Sequence, residues 1–272
     1  VQALIPAAWV EPRSTLPLAL LRLALPLLCW AEFGNDLLPF RSMTGGHLAI
    51  SAAFWLSSAW SFAGWGGRTG PVTFAFVLGL MTFVLGENGY EPDWGHHHTT
   101  LLAYVAAYLT VSSSTDHLSV DRWLELRRSP GAPAARGQTV ALGLIGLQVS
   151  TVYFWGGFEK LNAPFLDGTR LTQLWVSIWT SSDWWFPLPA TLAFAAASVA
   201  VVLLEFGLAF GLWVPRLRPW GCALGAAMHA AFYVLLPVGT FSLTMVWCYL
   251  AYFDPDDVED VVRRLLGPPV ER

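Results

Sequence analysis

Long apolar stretches dominate the chain, with little strand-like alternation. Eight stand out, at about 16–36, 46–66, 70–88, 97–115, 138–159, 190–214, 219–237 and 239–253. A bilayer core takes about 20 apolar residues of helix, so each predicts a transmembrane helix. The last is short and joins the seventh tightly at Pro237 and Gly239. Between the fifth and sixth, residues 162–188 set Trp175, Trp179, Trp184, Trp185 and Phe186 among polar residues, the pattern of an interfacial or re-entrant element. Residues 1–13 and 255–272 read as tails, and Val258, Val261, Val262 and Leu265 predict a short amphipathic helix in the second. No repeat or low-complexity linker interrupts the pattern. The expectation is one all-α domain over 1–272, a polytopic membrane bundle of about eight helices with its core at about 15–255 and a tail at 256–272.

Charge then orients the bundle. With eight spans the loops fall into two sets. One holds eleven arginines: Arg13, Arg68, Arg122, Arg127, Arg128, Arg136, Arg216, Arg218, Arg263, Arg264 and Arg272. The other holds Arg41, Lys160 and Arg170. The positive-inside rule places the first set, and both termini, in the cytoplasm. Segments 37–45, 89–96 and 160–189 then face outward.

Composition agrees. Of 272 residues, 55% are hydrophobic and only 12% charged, with mean hydropathy +0.50. A soluble domain carries about 25% charged residues, so a water-facing globule is excluded. A net charge of −4 offers no field for nucleic acid. Cys29, Cys222 and Cys248 lie in apolar runs at spacings that suit neither zinc nor a redox pair. No cleaved leader is expected from the first thirty residues.

Ionisable groups inside spans cost free energy and mark function. Here they are Arg22, Glu87, the run His96-His97-His98, Lys160, Glu205 and His229, with Gln148 and the serines 112–114 as milder cases. Glu87, the histidines and Lys160 map to the outer ends of spans three, four and five, a convergence on one leaflet. Lys160 is the only lysine, and Tyr153, Gly157 and Lys160 share a helical face. A lysine in apolar surroundings can serve as a neutral amine base. The competing reading is a snorkelling anchor paired with Glu159 or lipid phosphate. Successive histidines diverge by about 100° on a helix, so the three do not ligate one ion from one face. No metal is expected; His96, His97 and Glu87 are the weak candidates for one, and a polar helix start or a lone acid–base His98 is the simpler reading. Arg22 and Glu205 need partners, and pairing with each other or with His229 makes them structural glue. The 15 Trp, 17 Phe and 7 Tyr suit interface belts, lipid contact or a pocket for a flat lipophilic ligand such as a quinone.

Three blocks carry a family resemblance. They are His98-Thr-Thr-Leu-Leu-Ala-Tyr through Ser119-Val120-Asp121, Gln148-x4-Tyr153-Phe154-x-x-Gly157-x-x-Lys160-Leu161, and His229-x9-Gly239-x-Phe241. In order and spacing they resemble the vitamin K-dependent gamma-carboxylases and their bacterial relatives, the horizontally transferred transmembrane (HTTM) domain proteins. The resemblance implies a membrane enzyme in which Lys160 is the base that deprotonates reduced vitamin K or menaquinol, and His98 assists by hydrogen bond. It implies a quinol pocket about Gln148, Tyr153, Gly157 and His229. Oxygen and carbon dioxide are the implied co-substrates, with quinone epoxide and a carboxylated peptide glutamate as products. Glu159 stands where the animal enzyme has a second lysine. The implied setting is a bacterial cell membrane, with the site facing outward and lipid, quinol and a small peptide as partners. A quinol-dependent oxidase of another substrate, and a non-enzymatic accessory or immunity protein, stay open.

Overall fold

The computed structural model describes residues 6–38, 44–87, 92–179, 191–236 and 238–266. Arg41, Pro237, Trp184, Trp185, Phe186 and Arg272, used in the reading above, lie outside them. In chain order the elements are α1 (Ala7–Val10), β1 (Arg13–Ser14), α2 (Leu16–Phe33), α3 (Gly45–Ala63) and α4 (Thr69–Gly79), which runs on as a π-helical segment over Leu80–Gly86. A 3-10 turn (Pro92–Gly95), α5 (His97–Thr110), α6 (Val120–Arg128), β2 (Arg136–Gly137) and α7 (Val140–Glu159) follow. Then come α8 (Ala163–Leu166), α9 (Thr169–Trp179), α10 (Thr191–Gly211), α11 (Arg218–Leu235), α12 (Phe241–Cys248), a 3-10 turn at Tyr249–Tyr252 and α13 (Pro255–Leu266).

Helix therefore occupies every one of the eight apolar stretches. Among the described residues four helices are long and apolar enough to cross a membrane: Leu16–Phe33, Thr69–Gly86, Val140–Glu159 and Leu192–Gly211. Their free faces are apolar as well. Phe76 is 72% exposed, Leu192 80% and Leu203 68%, surfaces that suit hydrocarbon and not water. The expected interfacial stretch is helical over its described part, as α8 and α9. The loop after α5 holds an unforeseen helix, α6, which Ser119 caps by accepting from the Arg122 amide at 3.0 Å.

The single domain expected from the sequence is built of two compact units, residues 1–146 with 247–272, and residues 147–246. In the first, α2 packs on α3, α5 and α13, and α4 packs between α3 and α5. Phe33, Phe54 and Phe74 meet edge-on from α2, α3 and α4. β1 pairs with β2, and Asp256 of α13 accepts from the Ser14 amide at 3.0 Å and from Arg136 at 3.0 Å. In the second unit α10 packs on α8, α9 and α11.

Arg22 corrects one expectation. It does not pair with Glu205 or His229. Its fully buried guanidinium spends all five N–H donors on main-chain carbonyls: Ser114 (2.9 Å), Ser61 (2.7 Å), Phe62, His117 (3.4 Å) and Leu118 (2.6 Å). Those oxygens lie at the α3 C-terminus and in the loop after α5, where carbonyls have run out of helical partners. Gly64 ends α3 at φ 64°, and a Cβ there would stand 2.9 Å from Nη1 of Arg22. The partners of this cation are main-chain dipoles.

Candidate active site

The second unit holds a cavity of about 490 Å³ whose described lining residues are all its own. Each helix presents a stripe at helical spacing. Tyr153, Gly156 and Lys160 come from α7 and the residue that follows it; Phe194, Ala197, Val201 and Glu205 come from α10. Leu171, Leu174 and Trp175 of α9 form another wall, and His229 and Phe232 of α11 face Phe241 of α12 across the rest. The turn between α8 and α9 sits close on α10 through Gly168, at φ 82°, where a Cβ would meet the Ala195 amide at 2.5 Å. In that turn the Thr169 backbone amide, helped by its hydroxyl, holds the Asp167 carboxyl below its ordinary 3.8.

Lys160 follows the last residue of α7, and its amine folds back to donate to the Gly156 carbonyl at 3.0 Å. The same Nζ meets both oxygens of Glu205, at 2.9 and 3.0 Å. Glu205 is buried and Lys160 partly so. Gly156 leaves room for this approach, since a Cβ there would lie 3.2 Å from Glu205 Oε1, a tight contact, and 3.5 Å from Nζ. Lys160 therefore has a protein carboxylate for partner, where the anchor reading expected Glu159 or lipid. Deeper in the wall, Tyr153 Oη and His229 Nε2 are hydrogen-bonded at 2.8 Å. His229 is 1% exposed, and its Nδ1 has no partner among the described residues.

The structure thus brings together Tyr153, Lys160, Glu205 and His229. It leaves two expected pocket residues off the wall. Gly157, one residue and about 100° round from Gly156, faces the Phe206 ring, 3.2 Å from where its Cβ would be. Gln148 lies on α7 before the lining stripe begins at Val152. His98 belongs to the first unit, where its Nε2 bonds Glu32 at 2.7 Å and its ring stacks on His96. Glu87 follows the π-helical segment, and His97 opens α5, in that same unit. Among the described residues no three His, Cys, Asp or Glu side chains are grouped to hold a metal ion. Sequence reasoning missed Glu205 as the partner of Lys160. The signal was present: one lysine and one mid-span glutamate, each in need of an opposite charge.

A helical protein with span-length helices, lipid-suited outer faces and an ion pair on an apolar cavity is a membrane protein. The chain belongs to the HTTM-domain family, whose model matches residues 48–256 and so covers Lys160, Glu205, Tyr153, His229 and His98. The HTTM domain is found in proteins related to vitamin K-dependent carboxylases. No solved structure matches the chain.

Proposed function

We propose that the protein is a vitamin K-dependent gamma-carboxylase-like membrane enzyme that binds a reduced quinone in the second-unit cavity and uses Lys160 as its base. The observation that carries this reading is the placement of Nζ on the wall of a large apolar cavity. A flat lipophilic ring suits such a wall, with Phe165, Trp175, Phe194 and Phe232 to flank it and a few polar groups to orient it. Quinol oxygenation supplies the driving force for proton abstraction and carboxylation in enzymes of this type. The chain's own residues hold the ring, exclude water and receive the hydroxyl proton at Nζ. A free amine beside a hydrogen-bonded hydroxyl is the arrangement general-base catalysis needs. The helper role of His98 rests on the family resemblance alone and not on the cavity, since its ring lies in the first unit, hydrogen-bonded to Glu32.

The reading includes a cell-membrane setting, eight spans, both termini in the cytoplasm and the site facing outward. The arginine-rich, lysine-poor composition suits a bacterial source and menaquinol. The test is quinone epoxide formation in nanodiscs supplied with reduced vitamin K or menaquinol and oxygen. Wild-type protein forms epoxide and Lys160→Ala does not. Absence of epoxide from a folded, quinol-binding wild type sinks the enzyme reading and leaves the accessory role.

A further inference from the structure

Lys160 as seen is poorly prepared to be a base. Its nitrogen already donates to Gly156 and to both oxygens of Glu205, the environment of an ammonium. An ammonium accepts no proton. If Lys160 acts as the base, its extra proton must first have somewhere to go.

We propose that Glu205 is that place: when an apolar molecule fills the cavity, the proton passes from Lys160 Nζ to the Glu205 carboxylate. The inference rests on the reading of Lys160 as the base of this site. In the step one N–H bond breaks and one O–H bond forms. The ion pair becomes a neutral amine beside a neutral carboxylic acid, and no charge enters or leaves the cavity. The contact distances require no movement of the backbone.

Three observations favour the transfer. The pair stands on a cavity wall that is otherwise almost wholly apolar, so an apolar occupant leaves its two charges without water on that side. Desolvation raises the energy of the charged form of each partner, and mutual attraction in a dry site only partly offsets this. The other titratable groups lining the cavity, Tyr153 from α7 and His229 from α11, are hydrogen-bonded to one another, and no lining residue of α8, α9 or α12 is titratable. Glu205 is thus the acceptor in direct contact with Nζ that can take the proton. The Gly156 carbonyl also accepts from Nζ, and this holds the nitrogen against Glu205.

Glu205 then has a role that a structural ion pair lacks. The amine form of the site contains as many protons as the ammonium form, so the site is armed by occupancy and needs no exchange with solvent. The base is available only when the cavity is dry. That protects a strong-base reaction from idle proton uptake.

The test uses the whole chain in nanodiscs and exploits its single lysine. Isotope-labelled lysine gives one side-chain nitrogen signal that separates ammonium from amine, and infrared difference spectra separate carboxylate from carboxylic acid. The probe is naphthoquinol dimethyl ether, which has the shape of a quinol but neither a hydroxyl proton nor electrons to give. In wild type the probe is expected to convert the nitrogen signal from ammonium to amine and to raise a carboxylic acid band. In Glu205→Gln that band is absent, which assigns it. A nitrogen that stays ammonium at the highest soluble probe concentration overturns the proposal. So does an amine that forms in wild type without the acid band, because the proton has then gone to solvent. The wild-type result decides alone if the variant fails to fold. Both signals without epoxide in a turnover assay would leave this proposal standing and remove the carboxylase-like reading.

Discussion

Glu205 grips Lys160 with both carboxylate oxygens across 45 positions of sequence, from the middle of α10 to the end of α7. Neither charge would be tolerated alone at such a place. The pair answers the objection that each raises, and it puts two titratable groups on the wall of an apolar cavity in the second unit.

A double-mutant cycle separates the pair's contribution to folding from its chemistry. Lys160→Met leaves the Glu205 carboxylate buried without its partner, and Glu205→Leu leaves the ammonium so. Each single change is expected to cost about 3 kcal/mol. The double change restores packing without stranding a charge, so its thermal midpoint in detergent returns close to wild type while activity stays lost. Losses that simply add, with the double variant melting well below either single one, would show that the two residues are not coupled.

Arg22 is expected to be the least replaceable charge in the protein. Arg22→Met strands five carbonyls, and the expected loss is about 4 kcal/mol or more. Arg22→Lys fails as well, because three rotating donors cannot serve five acceptors held in the plane of a guanidinium. The measurement is the yield of monodisperse protein on size exclusion, followed by a melt of whatever survives. A lysine variant that melts like wild type would refute the carbonyl-clamp account.

Two neighbouring glycines should fail differently. A Cβ at Gly156 presses on the Lys160–Glu205 pair, whereas a Cβ at Gly157 presses on the Phe206 ring. Alanine also favours helix over glycine by about 1 kcal/mol. Gly156→Ala is therefore expected to keep or raise the melting temperature and lower quinol turnover. Gly157→Ala acts through the α7–α10 contact, so its effect appears in stability first. Turnover and melting measured on both variants check the split, and identical behaviour would mean that the cavity wall is misassigned.

Much of the fold was legible because the bilayer imposes a length rule. A long run of mostly apolar residues is most readily helical there, and helix occupies all eight runs. The π-helical stretch at Leu80–Gly86 was not legible, since it conserves the apolar pattern while changing the turn. Nor was α6, although Ser119, Asp121 and the final Arg127 and Arg128 make a capped, dipole-matched sequence. At the site, Lys160, Glu205 and His229 stood out as ionisable residues that hydrocarbon would reject, and Tyr153 stood out by sharing a helical face with Lys160. Their partners were not, because partnership depends on which helices adjoin, a non-local fact. Arg22 and Glu205 looked like mates on charge alone, and the structure gives one to carbonyls and the other to Lys160. Gly156 and Gly157 differ by a single step around α7, finer than a sequence pattern can place a helix face.

His117 predicts an acid-side loss of stability outside the spans. It sits in the loop after α5 with Nδ1 hydrogen-bonded to Thr15 Oγ1 at 2.8 Å. Burial lowers its ionisation from the ordinary 6.5; Glu259 and Asp116 pull it upward and Arg122 adds to the lowering, with the net effect downward. A histidine lowered in the folded state takes up its proton more readily when unfolded. Above the ordinary value both states are neutral and nothing is lost. As pH falls below it the unfolded chain gains the proton first, so stability declines until the folded pKa is reached. Nearby Asp116, raised from 3.8 chiefly by burial, acts in the opposite sense and at lower pH, so it does not imitate this decline. Thermal midpoints in nanodiscs should therefore drop as pH falls below the ordinary histidine value of about 6.5, and His117→Gln should flatten that part of the curve. A variant with the same slope as wild type would assign the loss to another group.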